Sequence, residues 1–164
     1  MKRPSHILIF AALALVFGGL GKIAYHREGR GSVDDRVHID PSTQPARYTW
    51  VDAFIDPHGQ PLAAYQFELK SSGGGAVTLV GVEGGEHPAF APPPYYDPKA
   101  NVQKRIVIAG FNTGDDLPHT RTRVARVMVR VTGNPKYSAT LQVAASQEAK
   151  PIDAEVSVSE GAGQ

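Results

Sequence analysis

The chain has 164 residues, a formal net charge of +1 at pH 7 and no cysteine. The missing thiol excludes cysteine catalysis, zinc–thiolate and iron–sulfur ligation, and a disulfide framework together. The charge is unevenly placed: residues 1–45 hold six Lys/Arg against four Asp/Glu, and residues 46–164 hold eleven against twelve. A nearly neutral domain has no general attraction to phosphate backbones, so nucleic acid is not an expected partner.

Lys2 and Arg3 precede Ile7–Leu20, an unbroken run of apolar residues and glycine. A basic pair ahead of such a run is the pattern of an export signal. Continued through Lys22 to Tyr25, the segment reaches 19 residues, about the length that crosses a bilayer. Residues 1–25 therefore read as an apolar helix, either a retained signal-anchor or a cleaved signal peptide. Both put the rest of the chain outside the cytoplasm, membrane-anchored in the first case and secreted in the second. Residues 26–45, polar and broken by Gly and Pro, read as a linker.

From Arg47 the pattern has a period of two. Thr49, Val51, Ala53 and Ile55 alternate with Trp50, Asp52 and Phe54, and Asp56-Pro57-His58-Gly59 then turns the chain. Tyr65, Phe67 and Leu69 form a second alternating run, and Gly73–Gly75 reads as a hairpin connection. Val77–Val82 is more continuously apolar and reads as a strand buried on both faces. The prolines of HPAFAPPPYYDPKAN forbid a central strand there. Ile106 and Ile108 resume the sheet. Ala125, Val127, Val129 and Val131 then alternate with Arg126, Met128 and Arg130, which places the arginines on a solvated outer face. Leu141 with Val143, and Ala154 with Val156 and Val158, supply the last two strands. Seven or so short strands between Gly/Pro turns predict an all-β, two-sheet antiparallel sandwich over 46–159, with 160–164 as a tail.

The ordered segments YTWVDAFID, PLAAYQFEL, AVTLVGVEGG, RIVIAGFN, TRVARVMVRVTG and ATLQVAAS resemble the cohesin domain and its relatives among carbohydrate-binding-type sandwiches. The resemblance spans about residues 46–159. It implies a nine-stranded, jelly-roll-like sandwich that recognises a dockerin-like protein partner or a polysaccharide.

No pattern points to catalysis. His58, His87 and His119 stand near carboxylates without the paired spacing of metal ligands. Asp115-Asp116 supplies too few oxygens for a calcium site, and no nucleophile elbow is present. No cofactor or metal is expected, and the chain does not read as an enzyme. Tyr95 and Tyr96 are the most suggestive residues, two rings on a proline-stiffened segment that either meet a ligand or fold back over a sandwich edge. Trp50, on the strand face that also carries Asp52 and Asp56, is the third candidate. The expected function is a non-catalytic, membrane-tethered binding module for a protein partner or a polysaccharide. The other reading is a structural envelope protein whose sandwich packs into a larger membrane assembly.

Overall fold

A computed structural model describes residues 44–97 and 104–161. The apolar segment 1–25 and nearly all of the linker lie outside the described residues. Eight strands form: β1 (Arg47–Asp56), β2 (Ala64–Ser72), β3 (Val77–Gly84), β4 (Tyr95–Tyr96), β5 (Arg105–Phe111), β6 (Thr122–Val131), β7 (Lys136–Ala145) and β8 (Glu155–Gly161). They make two four-stranded antiparallel sheets, β3-β6-β1-β8 (sheet A) and β4-β5-β2-β7 (sheet B). The protein is an all-β two-sheet sandwich. The last strand runs to Gly161, so Glu160 and Gly161 belong to the sheet and not to a tail.

Four of the pairings are nested: β1 with β8, β2 with β7, β3 with β6 and β4 with β5. They are the pairings of one long hairpin folded across two sheets, closed by β1·β6 and β2·β5 in the sheet centres. Burial follows the alternation. Val51, Ala53 and Ile55 of β1, Tyr65, Phe67 and Leu69 of β2, Ile106 and Ile108 of β5, and Val127, Val129 and Val131 of β6 meet in one core between the sheets. Arg126 and Met128 face outward, as the period-two pattern requires.

Three bulges shift this pattern, each adding one residue that the alternation does not count. Val124 is the extra residue opposite Ala53/Phe54, so Val124 and Ala125 are both fully buried. Val80 is extra between Leu79 and Gly81, and Gln142 between Leu141 and Val143. The second and third decide which side chains reach the surface. β3 is an edge strand, not one buried on both faces, and its bulged Val80 is 57% exposed. Leu141 packs against the core while Val143, two residues on, turns to the outside and is 41% exposed.

Gly73–Gly75 does not close a hairpin, because it carries the chain from sheet B to sheet A. Its φ of 118° and the Thr132 carbonyl lying where a Cβ would stand restrict position 75 to glycine. Two tyrosines in the core differ in their partners. The Tyr65 hydroxyl donates to the Val124 carbonyl at 3.0 Å, and burial pushes its pKa well above the usual phenol range. The buried Tyr137 hydroxyl has no hydrogen-bond partner, and burial pushes its pKa up to about 12.

Candidate functional site

Each sheet turns one face inward and one outward, and the three residues singled out in the sequence fall on three different surfaces. Trp50 is on the outer face of sheet A. Tyr95 is on the outer face of sheet B, because it pairs with the outward Ala109. Tyr96, paired with the fully buried Ile108, turns inward and packs against the core. The short strand β4 thus both covers an edge and presents a ring: Tyr96 does the first and Tyr95 the second. The prolines before it confine the pairing to two residues at a sheet edge, where a missing amide hydrogen is tolerated.

The outer face of sheet A is a layer of arginines and aromatic rings. Register places Trp50 beside Met128, Asp52 beside Arg126 and Phe54 beside Arg123. Arg126 donates to Asp52 through Nε at 2.7 Å and Nη2 at 2.9 Å, and Arg123 stands 3.8 Å from the same carboxylate. The guanidinium of Arg126 is 5.1 Å from the Trp50 ring centroid, and that of Arg121 is 3.9 Å from the Phe54 centroid. On its other flank the Trp50 indole covers Gly161, where any Cβ would collide with it. Arg126 is therefore not a freely solvated residue. It holds a two-pronged carboxylate contact and lies over a ring. With guanidinium groups already above Trp50 and Phe54, this layer satisfies itself.

The outer face of sheet B is different. One row across the sheet reads Tyr95, Ala109, Gln66, Val143, and the next reads Phe111, Ala64, Ala145. Tyr95 is 73% exposed, Phe111 68% and Val143 41%. No charged side chain of the sheet falls in either row, and two amides of this face share a hydrogen bond, Gln66 Nε2 donating to Gln142 Oε1 at 2.7 Å. Val107 extends the apolar surface along β5. Tyr95, Phe111 and Val143 are the exposed large hydrophobic residues of this face among those described.

Further along the same strands the face becomes charged. Glu68 points outward yet is buried, because Lys70 Nζ lies 2.6 Å and Arg105 Nε 3.3 Å from its carboxylate. With Lys136 exposed at the start of β7, the strands carry three cations and one carboxylate at that end. At the opposite end the loops that leave β5 and β7 carry exposed Asp115, Asp116 and Glu148, against Lys150. Gln147 Nε2 donates to the Gly114 carbonyl and ties these two loops together.

Of these residues, Phe111 was legible in the sequence: with Ile106 and Ile108 inward, alternation puts Val107, Ala109 and Phe111 outward. Val143 was not, because only the bulge at Gln142 turns it out. The histidines stay apart as ligands. His58 contacts Asp153 at 3.3 Å, His87 stands 3.9 Å from Asp116, and His119 meets the Gly59 carbonyl at 3.3 Å. Among the described residues no three His, Asp or Glu side chains converge as metal ligands. Comparisons with protein-family models, with curated proteins and with solved structures find no match to this chain.

Proposed function

We propose that this domain is a non-catalytic, extracytoplasmic binding module, tethered or exported through residues 1–25, and that it recognises a protein partner through the outer face of sheet B. The observation that carries the reading is the uncharged outer face around Tyr95, Phe111 and Val143, which holds three of the five exposed large hydrophobic side chains among the described residues. The nested strand pairing is compatible with the jelly-roll-like arrangement that the cohesin resemblance implies.

A protein is favoured over a polysaccharide for a chemical reason. A sugar ring stacked on Tyr95 or Phe111 brings hydroxyls that need polar side chains beside the ring. Here the neighbours of the rings on the sheet are Ala64, Val107 and Ala109, and the amides of Gln66 and Gln142 already share one hydrogen bond. Such a surface leaves sugar hydroxyls unsatisfied, which costs about 1–3 kcal/mol for each buried group. An apolar protein surface meets the same patch without that cost. Trp50 takes no direct part, because its exposed side is covered by Arg126.

The test is capture from envelope extract by the full chain, with a polysaccharide-binding panel beside it. Wild type should retain a protein, and Tyr95→Ala with Phe111→Ser should release it, each anchoring ring contributing about 2 kcal/mol or roughly 30-fold in Kd. Trp50→Phe should leave capture unchanged. Retention of a polysaccharide, or equal capture by the double variant, would contradict the reading.

A further inference from the structure

The charges flanking the apolar patch are of opposite sign at the two ends of the strands. On β7, Lys136 begins the strand and Glu148 lies beyond its end. On β5, Arg105 begins the strand and Asp115 and Asp116 lie beyond its end. The row Tyr95, Ala109, Gln66, Val143 crosses both strands between their cationic starts and the acidic loops beyond their ends. The face is therefore cationic at one end, apolar in the middle and acidic in the loops at the other end.

We propose that the occupant of this face is a second copy of the chain, packed sheet B against sheet B about a two-fold axis that runs along the central apolar row. This rests on the reading of sheet B as the binding face and names its partner. Rotation about an axis in the interface and across the strands lays each strand over its own counterpart with reversed direction. The cationic start of β7 then meets the loop after the partner copy's β7, bringing Lys136 toward Glu148. The start of β5 likewise meets the loop holding Asp115 and Asp116. Tyr95, Phe111 and Val143 of both copies close the centre. An axis along the strands would set the cationic ends against each other, so charge selects the first arrangement. Packing two sheets face to face is the geometry that already builds the inside of this domain. The outer face of a four-stranded sheet is small beside a standard interface, so the contact is weak and reversible, and confinement to one membrane raises its occupancy.

A chain without native cysteine permits a direct test. Ala109→Cys, on the central row, is introduced into the full chain in its membrane and treated with a short bis-maleimide. Val80→Cys, exposed on sheet A, is the control. The expected result is a cross-linked dimer from Ala109→Cys at least five times more abundant than from Val80→Cys. Adding Lys136→Glu should reduce it several-fold, and adding Glu148→Lys as well should restore it, since only a self-contact regains complementarity when both ends are reversed in one chain. Equal cross-linking at the two cysteines, or no recovery in the double reversal, would overturn the proposal. If it is overturned while Tyr95→Ala with Phe111→Ser still releases a captured protein, the face serves a different protein. If the double variant also captures as before, the reading of sheet B fails with it.

Discussion

Val129→Asp should abolish the folded domain or lower its stability by at least about 4 kcal/mol, whereas Val80→Asp should change it by under about 0.5 kcal/mol. The two valines lie in neighbouring strands of sheet A. Val129 is 3% exposed and sits among Val127, Val131 and Leu69 in the core. A carboxylate there is taken out of water among apolar side chains, and burying a charge is among the few single changes that exceed the usual mutational range. Val80 is the extra residue of an edge-strand bulge and stands in water. Urea denaturation of the two variants separates a bulged edge from the doubly buried strand that the apolar run Val77–Val82 suggests. Equal destabilisation would mean that β3 lies inside the sheet.

Phe67→Ala and Phe111→Ala should separate stability from binding, although both residues belong to sheet B. Phe67 is fully buried and stacks on Tyr65 with ring centroids 6.0 Å apart. Its removal leaves a cavity beneath the centre of the sheet and should cost about 3–5 kcal/mol. Phe111 adds almost nothing to the core, so Phe111→Ala should stay within about 0.5 kcal/mol of wild type while losing capture of the partner. Chemical denaturation beside capture gives both readouts. Loss of stability in Phe111→Ala would show that its ring is covered within the domain and is not available to a partner.

The period-two pattern of Thr49–Ile55, Tyr65–Leu69 and Ala125–Val131 was enough to establish the sandwich and which side chains enter its core, because alternation is the geometry of a strand and needs no tertiary knowledge. Three things escaped it for the same reason. A bulge adds one residue without a sequence mark, which hid the outward turn of Val143 and the exposure of Val80. Chain crossing between sheets depends on which edges meet, so Gly73–Gly75 reads locally as a hairpin although it joins two sheets. The carboxylate partner of Arg126 lies on β1, 74 residues away, and nothing near Arg126 announces it. The candidate site was half legible. Tyr95 stood out for its prolines, but its separation from Tyr96 and Trp50 follows from register, which places the three on different surfaces.

The most direct test of sheet B as the binding face is hydroxyl-radical footprinting of the full chain in the cells that produce it, compared with the same chain purified and dilute. Tyr48, Tyr95 and Phe111 are the exposed aromatic rings to read, 63%, 73% and 68% accessible in the isolated domain. If sheet B engages a partner, Tyr95 and Phe111 lose reactivity in the cell and Tyr48, on sheet A, keeps it. Protection of Tyr48 with Tyr95 and Phe111 unchanged would contradict that assignment and move the binding surface to the arginine–aromatic face of sheet A.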